Sequence, residues 1–384
     1  MKSFSIYNGG VKLFFGENTV TKTKKHLSRY HRLLVVTGRS SAKVSGALDD
    51  IRKILEEQGI EYMVWDKASP NPTDSLVEEL TRVYREGLFE GFIAIGGGSV
   101  IDLAKAARVL VVGGGSIKEY LYGEKIPPEQ QPFLMAVNLT HGTGSEIDRF
   151  AVVTIEETKE KLGFGAGYPT VSVDDPKYTL TLPRSQTIYT SIDAFAHAVE
   201  SATSNYASPY TVLLAEEAVR VIVEYLPKTL ENPRSIENRY WLLYASMIAG
   251  IGIDHGVTHY GHLLEHLLTG YNPRLAHGAG LAIIHRKLIG VIYKYFPETM
   301  ARILKPLDPS LKPVPDDSVK AVKAYEAFLE KIGFKERLGD YGFDKDVIKE
   351  LTELYDKLFK TRYANLAAFK LSREEAYKIL VELI

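Results

Sequence analysis

Ile93-Ala94-Ile95-Gly96-Gly97-Gly98-Ser99-Val100-Ile101-Asp102-Leu103-Ala104-Lys105 joins a short apolar run to a helical pattern through three glycines. Read as strand, turn and helix, this stretch places unpaired backbone N–H groups at a helix N-terminus, where the helix dipole favours an anion. Glycine lets the backbone approach a pyrophosphate without a Cβ in the way. Ser99 is expected to cap the helix, with Asp102 at the capping-box spacing three residues on. The pattern is neither the G-x-G-x-x-G fingerprint nor a P-loop. A plain tight turn between strand and helix remains the competing reading.

Outward from this loop the first half alternates strand and helix. Leu33-Leu34-Val35-Val36, Glu61-Tyr62-Met63-Val64-Trp65, Phe133-Leu134-Met135-Ala136-Val137 and Val171-Ser172-Val173 read as strands. Helical patterns at 47–55, 75–86 and 100–112 lie between them. Such alternation predicts a parallel α/β sheet covered on both faces. A second loop of small and hydroxyl residues, Thr140-His141-Gly142-Thr143-Gly144-Ser145-Glu146, follows the strand at 133–137. Both loops fall at C-terminal strand ends, where open α/β sheets bind ligands. Gly113-Gly114-Gly115 has no strand before it and reads as a helix C-terminal break. Beyond Pro183 the patterns are helical throughout, at 188–204, 209–225, 239–253 and 318–332. The expected architecture is an α/β dinucleotide-binding domain over 1–182 and an all-α domain over 183–384.

The chain has 384 residues, with 47 Lys and Arg against 48 Asp and Glu, a formal net charge of −1. That balance lacks the basic footprint of a nucleic-acid binder. With no cysteine, thiol nucleophiles, iron–sulfur clusters and Cys-ligated zinc are excluded, so a metal site would need His, Asp or Glu. The opening residues 1–10 carry no apolar core with a cleavage site, and no apolar run reaches bilayer length; no membrane partner and a cytoplasmic location are expected.

Six of the ten histidines fall between His255 and His285. His262 and His266, at i and i+4, share one helical face, and His277 follows the Asn272-Pro273-Arg274 turn and can project back towards it. Upstream, Asp193 and His197 pair in the same way. Two such pairs suit a divalent metal, and a carboxylate beside imidazoles leans towards iron or zinc. The plainer alternative makes them solvated or capping helix residues. His255, His259 and His285 read as ordinary residues. Glu200 either orients a ligand histidine or faces the helix interior.

Taken together, Gly96-Gly97-Gly98-Ser99 with Asp102 and Lys105, Gly142-Thr143-Gly144-Ser145-Glu146, Asp193-x3-His197-x2-Glu200, and His262-x3-His266 followed by His277-Gly278 resemble the iron-containing alcohol dehydrogenase family, over essentially the whole chain. Residues 276–283 look closest to its butanol-dehydrogenase-like branch. The resemblance implies Fe(II), with Zn(II) as the alternative, held by Asp193, His197, His262 and His277. It sets His266 beside nicotinamide and substrate. It implies a pyrophosphate on Gly97, Gly98 and Ser99 with Asp102 in the same motif, Thr140 and Thr143 near the cofactor, Lys161 near its ribose and Asn71 near its adenosine half. It also implies a homodimer. Two departures bear on the substrate pocket: the segment from His266 to His277 is one residue longer than the family pattern, and His141 stands where that pattern carries a small residue.

In this family the residues after the first strand read the adenosine ribose. Here they are Gly38-Arg39-Ser40-Ser41, with cations and hydroxyls but no acid. A cation suits a 2′-phosphate, so NADP(H) is expected over NAD(H). The expected chemistry is hydride exchange between the cofactor and a primary alcohol or aldehyde at a divalent metal, with His266 in a proton relay. The alternatives are a polyol or glycerol-phosphate dehydrogenase, a dehydroquinate-synthase-like lyase, or a nucleotide- and metal-binding protein without turnover. Arg274 is the cation near the motif that a phosphorylated substrate would need.

Overall fold

The computed structural model describes residues 9–358 and 365–384; the expectation drawn from the opening residues lies mostly outside them. The chain divides into two compact units, residues 9–182 with Arg234–Leu243, and Pro183–Pro233 with the described part of Tyr244–Ile384.

The first unit is built on six parallel strands: β1 (Lys12–Phe15), β2 (Arg32–Gly38), β3 (Glu61–Ala68), β4 (Gly91–Gly96), β5 (Phe133–Asn138) and β8 (Val171–Asp174). Their order is β1-β8-β5-β4-β2-β3, and every neighbouring pair is parallel. The helices are α1 (Lys24–Leu27), α2 (Ser41–Val44), α3 (Ala47–Glu57), α4 (Asp74–Glu86), α5 (Gly98–Gly113) and α6 (Ile117–Leu121). β4 and β5 are buried at every residue, as strands covered on both faces must be. Leu48, Ile51 and Leu55 of α3 pack in one core cluster with Val35, Ile93, Ile95 and Val137 of the sheet. From β2 the chain moves out to β3 and then returns past β2 to β4. The strand order therefore reverses between β2 and β4, the position where such sheets leave a crevice for a dinucleotide.

Three strands were not read from the sequence. β1 is a four-residue edge strand, and β6 (Phe150–Thr154) and β7 (Lys161–Gly165) form a separate antiparallel pair. Arg234–Leu243 also belongs to this unit rather than to the helical one. Its Arg239, fully buried, donates Nη1–H to His141 Nε2 at 3.2 Å and reaches the Leu182 carbonyl at 3.5 Å.

The second unit is helical: α7 (Arg184–Ser201), α8 (Pro209–Glu231), α9 (Ile236–Gly256, whose first residues count with the α/β unit), α10 (Tyr260–Tyr271), α11 (His277–Tyr295), α12 (Pro297–Ile303), α13 (Ser318–Lys331), α14 (Lys345–Leu358) and α15 (Arg373–Val381). α11 packs against α7, α10 and α13 and is buried along most of its length. No helix among the described residues is long and apolar enough to cross a membrane.

Candidate active site

In the α/β unit the glycine turn is the N-terminus of α5. Gly97, not Ser99, is the N-cap, and no side chain caps the helix. Ser99 Oγ instead accepts the Asn71 N–H at 3.3 Å, across from the turn where Asn71 holds φ 52°. Val100 N–H turns back to the Gly97 carbonyl at 3.0 Å, and the Gly98 and Ser99 amides ahead of it are left to an outside acceptor. A Cβ on Gly97 would stand 2.7 Å from Thr140 Cγ2, and one on Gly98 2.5 Å from Thr143 Cγ2. The loops after β4 and β5 therefore meet with room for backbone alone, a cradle of the shape a pyrophosphate needs.

Asp102 does not face that cradle. It accepts Ser145 Oγ–H at 2.7 Å and the Val152 N–H at 2.9 Å. Burial raises its pKa against the opposing pull of Lys105. Lys105 is buried as well, and donates to Asp148 Oδ1 at 3.0 Å and to the Asp148 and Phe150 carbonyls at 2.9 and 2.8 Å. Lys161 opens β7, buried, and its charge is felt at Asp102. Gly38 ends β2, and Arg39, Ser40 and Ser41 follow it in the open. Asp66, on β3, lies 3.6 Å from Lys43. This acid was not visible from the segment after β2, because it arrives from the next strand.

In the helical unit α7 carries Asp193, His197 and Glu200, α10 carries His262, Glu265 and His266, and α11 begins with His277. Gly278 makes that entry possible: a Cβ there would stand 1.9 Å from the Tyr189 carbonyl oxygen of α7. Three imidazole nitrogens converge on one oxygen. His197, His262 and His277 place Nε2 at 3.5, 3.6 and 3.5 Å from Asp193 Oδ1. The His197 and His262 rings stack with centroids 4.6 Å apart and planes 12° from parallel.

These separations are too long for hydrogen bonds. Four donors at about 2.1 Å from a common ion, tetrahedrally arranged, stand about 3.4 Å from one another. Asp193 Oδ1 and His262 Nε2 are also buried without a hydrogen-bond partner in the structure. Orphaned donor atoms of this kind, in an all-N/O set, fit a divalent metal. Asp193, His262 and His277 form one cluster whose ligand atoms lie within 4.8 Å of each other, and Glu265, His266 and His277 form another.

Burial and charge act in opposition across the cluster. Burial would raise Asp193, but the surrounding imidazoles draw it below the usual carboxylate range. Burial pushes His197 down to about 4. At His262 burial acts downwards too, yet Glu200 and Asp193 outweigh it and hold the ring at about 9. His266 is partly exposed, with its ring 5.6 Å from that of His277.

Three readings change. His141, expected to bear on the substrate pocket, is wholly buried beside Arg239, and burial, helped by that guanidinium, pushes it down to about 3. Arg274 is exposed and turned onto its neighbour Asn272. His259 and His285, read as ordinary, both lie 3.6 Å from the Glu200 carboxylate. Glu265 was missed, although it stands inside the His262–His266 segment.

Two family models match this chain: "Iron-containing alcohol dehydrogenase" over residues 10–176, and "Fe-containing alcohol dehydrogenase family, C-terminal" over 187–383. A long-chain primary alcohol dehydrogenase of Thermoanaerobacter ethanolicus is 40% identical over 348 residues, 89% of this chain and 87% of that protein. A probable NADH-dependent butanol dehydrogenase of Bacillus subtilis is 28% identical over 99% of both chains. Among solved structures, the NADH-dependent butanol dehydrogenase A of Thermotoga maritima superimposes with a TM-score of 0.90 at 28% identity, covering 100% of this chain and 99% of that one. With both halves matched, the chain belongs to the iron-containing alcohol dehydrogenase family and is an enzyme of the alcohol dehydrogenase class.

Proposed function

We propose that this enzyme transfers hydride between NADP(H) and a primary alcohol or aldehyde, using a divalent metal. The observation that carries this reading is the convergence of three Nε2 atoms on Asp193 Oδ1 at 3.5–3.6 Å. Asp193, His197, His262 and His277 would hold the ion, Fe(II) by preference and Zn(II) as the alternative. When bound, such an ion supplies Lewis-acid polarisation of the alcohol or aldehyde oxygen, and the nicotinamide supplies the hydride chemistry.

The chain's own residues would do the rest. The first-turn amides at Gly98 and Ser99 take the pyrophosphate, with Gly97 giving close approach and the Thr140 and Thr143 hydroxyls beside it. Asn71 and Lys161 would serve the adenosine and ribose ends, while Asp102 holds the loop in place. His266 is the proton-relay candidate: its Nδ1 is buried, which leaves Nε2 to exchange the proton.

Support for NADP(H) comes from Arg39, exposed at the end of β2, and from Lys43, which offsets the acid of Asp66. The relatives named above that carry a cofactor in their names are NADH-dependent, and the preference proposed for this chain departs from theirs. Arg274, bound to Asn272, gives no support to a phosphorylated substrate. A homodimer is proposed from the family resemblance.

The test is aldehyde reduction by protein loaded anaerobically with Fe(II), with NADPH and NADH side by side. Butanal and a longer aldehyde are the probes. Metal-dependent oxidation faster with NADPH is expected. Faster oxidation of NADH overturns the cofactor preference, and consumption of neither overturns the simple-aldehyde reading.

A further inference from the structure

Two glutamates are buried in the helical unit with no part in the proposed ligand set. Glu200, on α7, has no exposed surface, and Glu265, on α10, has none either. Carboxylates are almost never fully buried unless paired. Each meets the Nδ1 of one proposed ligand histidine. His262 Nδ1 lies 2.9 Å from Glu200 Oε1, and His277 Nδ1 bonds Glu265 Oε2.

We propose that Glu200 and Glu265 are positioning residues for the metal, each holding one ligand histidine by Nδ1–H so that Nε2 is left to the ion. The proposal rests on the metal reading given above.

The geometry excludes a looser role for Glu200. Its Oε2 accepts the His259 N–H at 2.5 Å, which fixes the carboxylate's other end. The two remaining histidines around it have their protons committed elsewhere. His285 Nδ1 donates to the Leu281 carbonyl at 2.9 Å, so its Nε2, 3.6 Å from Glu200, carries none. His259 Nδ1 accepts the Tyr260 N–H at 2.8 Å, and its Nε2 meets Thr203 Oγ1 at 3.0 Å. His262 is therefore the imidazole that donates a side-chain proton to Glu200. A carboxylate on one ring nitrogen sets the tautomer and makes the other nitrogen a better donor.

The backbone has been cleared for both acids. A Cβ on Gly261 would stand 2.2 Å from Glu200 Oε1, and one on Gly280 2.9 Å from Glu265 Cγ. Two glycines in the first turns of α10 and α11 thus face the two carboxylates. With Asp193 the site assembles three buried carboxylates around the ligand imidazoles, a field suited to a divalent cation.

The experiment measures Co(II) affinity by chelator competition, and the visible spectrum of the Co(II) form, for Glu200→Gln, Glu265→Gln, Gly261→Ala and His262→Ala. Roughly 10- to 100-fold weaker binding is expected in each glutamine variant, with altered ligand-field bands. Gly261→Ala keeps the charge but displaces Glu200, and is expected to weaken binding in the same direction. It covers the case in which a glutamine variant does not fold. Affinity and spectrum unchanged in both glutamine variants, with binding lost in His262→Ala, would overturn the positioning role alone. Unchanged binding in His262→Ala would overturn the metal reading itself.

Discussion

The glycine loop after β4 and the histidine cluster on α7, α10 and α11 prepare for charged guests in opposite ways. The loop uses backbone amides and the absence of Cβ atoms, and its own charged residues are turned elsewhere: Asp102 to Ser145 and Val152, Lys105 to Asp148 and Phe150. The cluster uses buried side-chain charge, with Asp193, Glu200 and Glu265 set among imidazoles. The difference teaches what each can tolerate. A backbone site is insensitive to neutralising a nearby charge and intolerant of a methyl group. A side-chain site is sensitive to loss of charge, because removing one member leaves the others buried and unpaired, and it is crowded as well where Gly261, Gly278 and Gly280 meet its carboxylates and α7.

The sharpest way to break this comparison is His262→Ala. Loss of bound metal and a fall in kcat of at least roughly a thousandfold are expected, since several kcal/mol of Lewis-acid stabilisation disappear. Metal content of the purified variant and Fe(II)-saturated kinetics read this out, and nicotinamide binding should survive. Next comes His266→Ala. Metal content should be retained while kcat drops roughly a hundredfold, the scale of a lost proton-transfer group; equal metal loss in both variants would erase the division of roles. Gly98→Ala tests the other region. Its Cβ would meet Thr143 at 2.5 Å, so nicotinamide affinity should fall on the order of tenfold to a hundredfold with metal binding unchanged.

The smallest effect concerns charge buried in the α/β unit itself. Burial holds Asp174, and Glu146 beside it, above the ordinary carboxylate range. A carboxyl whose folded pKa is raised contributes most below its unfolded value, and that contribution is lost as pH rises through the folded one. Asp174→Asn keeps the acceptor that Asn138 Nδ2–H meets at 3.1 Å. The variant should therefore lose less stability between pH 5 and 8 than the parent, by no more than about 1.4 kcal/mol per pH unit. Urea midpoints at the two pH values measure it. His141 acts with the opposite sign: neutral in the fold at about 3, it withdraws stability as pH falls below its unfolded value near 6.5.

Legibility in the sequence followed the range of the interactions involved. The strands at 33–36, 61–65, 92–95 and 133–137 are apolar runs whose neighbours in sequence mark their ends, and all lie within observed strands. β1 is too short to show a period, and β7, Lys161-Leu162-Gly163-Phe164-Gly165, carries two glycines that blur it. The i, i+4 spacings of Asp193 with His197 and of His262 with His266 were readable because one helix sets them. The partners of Glu200 and Glu265 were not. His262 lies 62 residues from Glu200, and only the packing of α7 and α10 says which oxygen meets which nitrogen. For the same reason His141, 98 residues from Arg239, looked like a pocket residue. Ser99 had the right side chain for a cap, but the N-cap position fell on Gly97, which left its hydroxyl for Asn71.

The Lys105 amine has a consequence for how such a motif is interpreted. All three of its protons are spent on Asp148 and Phe150, and no part of the residue is exposed. It is a fastener between α5 and the hairpin that begins at β6. To amine-acylating reagents it would be silent in the folded protein and would become visible only on unfolding. A covalent footprint of it would serve as a gauge of whether the α/β unit is folded.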